Sequence, residues 1–196
     1  MHFVSECWRP LVFGLAAAVF CTGVALGQTM PIAERIAQCG ACHGEDGNSR
    51  LENIPSLAGQ PAFFVLNQLF LMREGVRKVE VMAQIVKELK DADLEALSKH
   101  YAALAPKPSD ERIDPALVKR GTELAGPMRC ASCHARDLAG QDQMPRLAKQ
   151  RVDYLIHSMK EFRDNTRTGA DTLMSNVVAG VPDADLAALA HYAAAK

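Results

Sequence analysis

Two five-residue segments with the same order of cysteine and histidine constrain this chain more than any other feature. Cys39-Gly40-Ala41-Cys42-His43 recurs as Cys130-Ala131-Ser132-Cys133-His134, 91 residues further along. A repeat that keeps its order over a long stretch predicts an internal duplication. The matched positions continue beyond the two segments, at Pro55 and Pro145, Leu57 and Leu147, Gln60 and Gln150, Met82 and Met174, Asp91–Leu94 and Asp183–Leu186, and His100-Tyr101 and His191-Tyr192.

The duplication predicts two domains, residues 28–105 and 115–196, joined by a linker at residues 106–114. Pro106 and Pro108 lack backbone N–H donors and restrict the residues before them to extended conformations, which favours a linker there. Domains of this size bury little surface, so a metal, a disulfide or a prosthetic group is expected to stabilise each one.

The spacing of apolar residues predicts an all-α fold. Leu94, Leu97 and Tyr101 recur at intervals of three and four, as on one face of a helix. No segment alternates between polar and apolar residues for long enough to indicate a sheet. We therefore expect two tandem helical domains, in which the last helix packs against the helix that precedes the cysteine motif. The same apolar face recurs in the second domain at Leu186, Leu189 and Tyr192.

Residues 1–27 have the pattern of a secretory signal peptide. Arg9 precedes the apolar run Leu11–Leu26, and Ala25 and Gly27 provide the small residues that a signal peptidase requires. An uncleaved membrane anchor is the alternative, but a spanning helix needs roughly 18 to 20 apolar residues, more than this run contains. Cleavage of this segment predicts a periplasmic protein.

Both cysteine segments fit the motif for covalent attachment of a c-type haem. Two thiols separated by two residues reach the two vinyl groups of a haem and form thioethers, and the histidine that follows becomes an axial ligand of the iron. The sequence therefore predicts two covalently bound haem c groups. Their attachment and ligand residues are Cys39, Cys42 and His43 in the first domain and Cys130, Cys133 and His134 in the second.

Two other uses of paired cysteines fit less well. A thioredoxin-like redox pair requires a βαβ context, which the helical pattern does not provide. A structural zinc site with four thiolates has compact ligand spacings, whereas these two pairs lie in separate halves and are each followed by histidine.

The duplication also selects the second axial ligand of each iron. Of the methionines after the initiator, only Met82 and Met174 occupy matched positions. An unmatched methionine more often fills a gap in an apolar core. The histidines His100 and His191 are also matched, but each lies inside the last helix of its half, and we interpret both as structural or surface residues. Methionine opposite histidine favours ferrous iron. Two six-coordinate irons would leave no position for a substrate, so we expect an electron-transfer protein and no enzyme.

The sequence resembles the cytochrome c4 family, whose members are tandem dihaem class I cytochromes c, over residues 32–195. The two haem motifs, the segment Pro55-Ser56-Leu57-Ala58-Gly59-Gln60 and the two matched methionines carry this resemblance. It implies that Met82 and Met174 are axial ligands. It also implies that the carbonyl groups of Pro55 and Pro145 accept hydrogen bonds from the proximal histidines. Ala135 and Lys149 depart from the family pattern, because they occupy positions where glycine is usual.

The resemblance implies a periplasmic one-electron carrier between a quinol-oxidising complex and a terminal oxidase, with only peripheral contact with these membrane complexes. One alternative is the dihaem electron-transfer subunit of a dehydrogenase, as in flavocytochrome c sulfide dehydrogenases. Another is a dihaem peroxidase, which would need one haem with a vacant or displaceable ligand.

Charge provides two further expectations. The chain has 22 basic and 23 acidic residues, a net charge of −1, which disfavours a nucleic acid as partner. Between Arg146 and Arg167, six basic residues stand against three acidic ones. This local excess predicts that the second domain faces an acidic partner.

Overall fold

Helices form nearly all the regular structure of the protein, whose computed structural model describes residues 30–169 and 172–196. The predicted signal peptide at residues 1–27 lies outside these residues. Apart from one isolated bridge between Gln141 and Met144, the described residues form no β-structure, which confirms the all-α prediction. The helices are α1 (Ile32–His43), α2 (Ala62–Arg73), α3 (Glu80–Val86), α4 (Asp91–Ala103), α5 (Pro115–Ala125), α6 (Cys130–His134), α7 (Val152–Arg163), α8 (Thr172–Val178) and α9 (Asp183–Ala194).

The helices themselves repeat, as the duplication predicts. Helices α2, α3 and α4 recur as α7, α8 and α9, whose first residues lie 90, 92 and 92 positions later. The two halves differ around the cysteine motif. In the first half, α1 carries the motif in one continuous helix. In the second half, α5 ends before Gly126 and the motif begins a separate short helix, α6, after Arg129 turns the backbone at a φ of +56°.

Each half has its own apolar core, built on its last helix. In the first half, Leu94, Leu97 and Tyr101 of α4 are buried with Met72 of α2 and Val86 of α3. The second core is built in the same way around α9, and its buried members are Leu138, Ala148, Val152, Leu155, Ala190, Ala193 and Ala194.

Helices α5 and α9 pack very closely in the second half. Gly121 of α5 lies against the backbone carbonyl of Ala188 in α9, so closely that a Cβ atom at this position would clash. The expected contact between the last helix and the helix before the motif is therefore present in this half. No single helix among the described residues is long and apolar enough to cross a membrane, and only the bent pair α8 and α9, at 115°, meets that criterion together.

The two halves meet at the loops that follow the matched prolines. Gln60 Nε2 donates to the carbonyl oxygen of Arg146, and the N–H of Arg146 donates to Gln60 Oε1, both at 2.9 Å. Gln150 makes the equivalent pair of bonds with Ser56, at 2.9 and 2.8 Å. Because Gln60 matches Gln150 and Ser56 matches Arg146, the two pairs are reciprocal. We refer to these four hydrogen bonds as the glutamine brackets.

The chain between α4 and α5 is held against both halves. The backbone N–H of Lys107 donates to Asn48 Oδ1 at 2.8 Å in the first half. The carboxylate of Glu111 accepts the N–H groups of Val152 and Asp153 at 2.6 and 2.9 Å, at the start of α7. This segment is therefore an ordered connection, and the boundaries of 28–105, 106–114 and 115–196 stay a prediction.

Candidate haem sites

A cavity of about 700 Å³ is lined by residues of both halves and brings the predicted site residues together. Its other walls are largely apolar and come from the helices of both cores, for example Val65 of α2 and Leu155 of α7. The cavity is thus lined by two cysteine motifs, with the two matched prolines and the two matched methionines. These predicted residues are Cys39, Cys42, His43, Pro55, Met82, Cys130, Cys133, His134, Pro145 and Met174.

All four cysteines of the motifs are free thiols in the described part of the chain. Cys42 and Cys133 are exposed, whereas Cys39 and Cys130 are half-buried. Burial raises the pKa of the Cys39 and Cys130 thiols. Two free thiols, three positions apart on one helix, are the arrangement that thioether attachment of a haem needs.

The described residues do not favour the two alternative uses of these thiols. They contain no group of three or more histidine, cysteine, aspartate or glutamate side chains that could hold a metal ion. They also contain no βαβ unit in which a thioredoxin-like pair would lie.

The two motif histidines are buried and oriented in the same way. Nδ1 of His43 lies 2.8 Å from the carbonyl oxygen of Pro55, and Nδ1 of His134 lies 2.9 Å from that of Pro145. A carbonyl oxygen only accepts, so Nδ1 carries the proton and Nε2 keeps its lone pair. Burial lowers the pKa of both histidines, and the bonds to the prolines oppose this effect only partly. Each imidazole is therefore neutral, with Nε2 available to a metal.

The matched methionines occupy the same position in matched helices. Met82 is the third residue of α3 and Met174 the third residue of α8, and both are half-buried and line the cavity. The competing histidines do not line it. The ring of His100 packs edge-on against Tyr101 at 5.1 Å, and Nδ1 of His191 accepts the backbone N–H of the residue that caps α5. These contacts favour the methionines, whose role as ligands stays a prediction.

Comparison with known proteins identifies the family. The family profile described as cytochrome c matches residues 118–194. Cytochrome c4 of Pseudomonas aeruginosa is 33% identical over 194 residues, which cover 93% of this chain and 93% of that protein. The chain belongs to the cytochrome c4 family. Membership in this family, together with the two cysteine motifs, confirms covalently bound haem c as the cofactor and electron transfer between redox proteins as the general function.

Two further relatives extend the comparison. The crystal structure of reduced recombinant cytochrome c4 from Pseudomonas stutzeri superposes with a TM-score of 0.74 at 34% identity, covering 83% of this chain and 95% of that chain. A protein named thiosulfate dehydrogenase electron acceptor, from Thiomonas intermedia, is 30% identical over 199 residues, covering 96% of this chain and 91% of that protein. The sequence similarity thus extends to a protein whose name describes it as the electron acceptor of a thiosulfate dehydrogenase.

A buried guanidinium shows that the cavity fits a group with carboxylates. Arg146 is only 4% exposed, and burial lowers its pKa to about 10. Its two terminal nitrogens donate to the carbonyl oxygens of Ala58 and Ala148, but it pairs with no carboxylate among the described residues, and its Nε has no partner. Nε of Arg77, another cavity residue, is also without a partner in the described chain.

A buried cation without a counterion is costly. Haem carries two propionate groups, whose carboxylates suit Arg77 and Arg146. Sequence reasoning missed both arginines. The repeat gave no signal for Arg146, since uncharged Ser56 occupies the matched position. Arg77 matches Arg167 across the repeat, and both line the cavity. The presence of arginine at both matched positions could have identified Arg77 as a candidate site residue from the sequence.

The structure gives little support to the predicted acidic partner of the second domain, which stays a prediction. Arg146 and Arg151 are buried at the interface between the halves. Lys160, Arg163 and Arg167 form ion pairs with acidic residues of their own half. A count of charges along the chain does not reveal which side chains turn inward to stabilise loops and helix ends. Most of this positive charge is therefore already buried or paired.

Proposed function

We propose that the chain is a periplasmic one-electron carrier in which both haem irons are six-coordinate. His43 and Met82 would be the axial ligands of one iron, and His134 and Met174 those of the other. The observation that carries this proposal is the shared orientation of the two histidines, each of which donates Nδ1–H to a proline carbonyl and leaves Nε2 for the iron. Haem bound at these sites supplies a one-electron Fe(III)/Fe(II) couple.

The surrounding residues support a carrier more than an enzyme. Apolar side chains line most of the cavity, which suits the apolar ring of a haem. A thioether and an imidazole on opposite sides would leave no position for a substrate, and the thioether would favour the ferrous state. The chemistry that remains is outer-sphere transfer of single electrons.

The donor is proposed to be a quinol-oxidising complex and the acceptor a terminal oxidase, with contact only at the periphery of these membrane complexes. Residues 1–27 support export, because they have the pattern of a cleaved signal peptide. Val81 and Leu173, each next to a matched methionine, line the cavity and are 60% and 62% exposed. They provide a small apolar edge at each site, which suits brief docking of a redox partner.

A second candidate function is electron acceptor of a dehydrogenase. The similarity to the thiosulfate dehydrogenase electron acceptor of Thiomonas intermedia extends over 96% of this chain and supports this candidate. It makes a thiosulfate dehydrogenase a better candidate partner than the sulfide-oxidising flavocytochrome suggested by sequence reasoning.

Reduction kinetics test the two donors. The oxidised, haem-loaded protein is mixed either with membranes that oxidise quinol or with a purified thiosulfate dehydrogenase and thiosulfate, and the absorbance of ferrous haem is followed. Faster reduction by the membranes supports the respiratory carrier. Faster reduction by the dehydrogenase supports the second candidate.

Coordination is tested separately by spectroscopy. Electron paramagnetic resonance of the oxidised protein should show two low-spin irons, and the reduced protein should not bind carbon monoxide. A high-spin iron, together with rapid turnover of added peroxide, would contradict the carrier and favour a dihaem peroxidase.

A further inference from the structure

A chain of hydrogen bonds connects the proximal histidine of the first half with a glutamine of the second. His43 Nδ1 donates to the carbonyl oxygen of Pro55 at 2.8 Å. The N–H of the same peptide group, on Ser56, donates to Gln150 Oε1 at 2.8 Å. Gln150 Nε2 donates back to the carbonyl oxygen of Ser56 at 2.9 Å. One peptide group therefore bonds the histidine on one side and the opposite half on the other.

The second half contains the reciprocal chain. His134 Nδ1 donates to the carbonyl oxygen of Pro145, and the N–H of that peptide group, on Arg146, donates to Gln60 Oε1, both at 2.9 Å. Gln60 and Gln150 are 3% and 2% exposed, so water has little access to either bracket. Both chains are thus buried, and each crosses the interface between the halves.

Hydrogen bonds that share one peptide group strengthen each other, by about 10–30% per bond. When the peptide N–H is bonded, its carbonyl oxygen carries more negative charge and accepts more strongly from the histidine. A stronger bond at Nδ1 makes the imidazole more basic toward a metal at Nε2. A more basic ligand stabilises ferric iron and lowers the reduction potential.

We infer that Gln60 and Gln150 are positioning residues that act across the interface, each lowering the reduction potential of the haem in the opposite half. This inference rests on the proposed function, in which His43 and His134 are axial ligands. The two chains differ in one respect. Gln150 Oε1 also accepts the N–H of Arg151 at 3.0 Å, so its bond to Ser56 shares the oxygen. The effect of Gln60 should therefore be the larger.

The test replaces each glutamine by methionine in the full haem-loaded protein. Methionine has a similar size but provides neither the amide oxygen nor the amide nitrogen. Gln150→Met should raise the potential of the first-half haem and Gln60→Met that of the second-half haem. We expect the ferrous-to-ferric ratio of that haem at a fixed electrode potential to rise about threefold, which is about 28 mV at 59 mV per tenfold for one electron. The haem of the substituted half should not change.

Nuclear magnetic resonance assigns each haem to its half by contacts with residues unique to that half. In the reduced protein, the Nδ1 proton of the opposite histidine should move to higher field, because its hydrogen bond has weakened. If the glutamines only held the two halves together, neither the chemical shift of this proton nor the potential of the haem in the opposite half would change.

Two further variants separate the inference from general damage to the interface. Thr168→Val removes another hydrogen bond between the halves, donated by the N–H of Lys78 at 2.6 Å, and should leave both potentials unchanged. Gln60→Glu and Gln150→Glu keep an acceptor of nearly the same shape. Each should lower the potential of the opposite haem more than that of its own half, which provides a test if the methionine variants do not fold.

A shift confined to the haem of the substituted half, equal shifts in both haems, or no shift with both histidine–proline bonds intact would overturn the inference. Failure of the proposed function has a different signature, since the unsubstituted protein would then lack two histidine-ligated haems in its own spectra.

Discussion

The two halves of this protein build the same backbone with different residues. At three matched positions both halves have a positive φ, between +56° and +85°. The first half uses glycine at each of them, whereas the second half uses a residue with a side chain. The matched pairs are Gly44 and Ala135, Gly47 and Leu138, and Gly59 and Lys149.

The pair Gly47 and Leu138 shows how a glycine in one half can correspond to a large side chain in the other. The carbonyl oxygen of each accepts two N–H groups from the loop after the matched proline, at 2.7 and 2.9 Å in the first half and 2.9 and 3.1 Å in the second. A Cβ atom on Gly47 would lie 2.9 Å from a methyl carbon of Leu104, the residue after α4. In the second half Leu138 is itself buried, and exposed Ala195 matches Leu104. The first half thus fills its core from the end of its last helix, and the second half from the loop.

This difference has a local energetic consequence. A residue with a side chain in the left-handed region costs roughly 1–2 kcal/mol relative to its preferred conformation. The second half carries this cost at three positions and the first half at none of them. Burial of the Leu138 side chain offsets the cost at one position. The hydrogen-bonded backbone around the motif histidine is therefore kept in both halves, while the means of stabilising it differ.

The largest expected difference between the halves can be produced by removing one methionine at a time. Met82→Ala should open only the iron of the first half and Met174→Ala only that of the second. The potential of the affected haem should fall by a substantial part of the roughly 0.8 V over which axial ligands set haem potentials. Redox titration and carbon monoxide binding measure the effect.

Met159→Leu is the matched control, because Met159 also lines the cavity and packs against the second core but has no counterpart in the repeat. It should leave both haems closed. If the Met82 and Met174 variants kept two low-spin haems with unchanged potentials, the assignment would be wrong and His100 and His191 would be tested next.

The sequence separation between the residues that form each feature explains which features could be predicted. The haem motifs and the last helices depend on residues close in sequence, so periodicity and the repeat identified them. The glutamine brackets join residues 86 and 94 positions apart. Gln60 and Gln150 were visible only as a matched pair of unknown role. The roles of Arg146 and Leu138 could not be recognised from the repeat, because the matched positions in the first half hold different residue types.

Because the Leu138 side chain fills part of the second core, its truncation should cause a large loss of stability. Leu138→Ala should lower the free energy of unfolding by about 2–5 kcal/mol, because it leaves a cavity in the second core. Urea unfolding followed by circular dichroism and by haem absorbance measures the change. Val177→Ala in the same half removes a side chain that is 43% exposed and should have a much smaller effect. Equal losses for the two variants would contradict the role of Leu138 in the core.

Another difference between the halves is that Arg146 is a buried cation, whereas the matched Ser56 is uncharged. If a haem carboxylate is its counterion, Arg146→Met should destabilise the haem-loaded protein by about 2 kcal/mol, the scale of a hydrogen bond to a charged group. If no anion lies beside it, relief of an uncompensated buried charge should offset the loss of the hydrogen bonds to Ala58 and Ala148, and the free energy of unfolding should change little. Arg136→Met is the control, because Arg136 follows the same haem motif with a side chain that is 97% exposed. The size of the change in the free energy of unfolding, measured in urea, decides between the two outcomes.

The smallest expected effect concerns the strained backbone directly after His134. Ala135 has a φ of +64°, so Ala135→Gly should relieve roughly 1–2 kcal/mol of strain. Glycine also makes the unfolded chain more flexible, which costs about 0.4–1 kcal/mol. The free energy of unfolding should therefore rise by about 0.5–1 kcal/mol. Thermal and urea unfolding of the haem-loaded protein measure the gain.

The matched substitution in the first half should have the opposite sign and a larger size. A Cβ atom on Gly44 would overlap the carbonyl oxygen of Asn48, well inside van der Waals contact, so Gly44→Ala adds a backbone clash to the conformational strain. The loop after His43 would have to move away from its present course. If Gly44→Ala and Ala135→Gly changed stability by equal and opposite amounts, backbone strain alone would account for both, and the two loops would be equivalent in spite of their different packing.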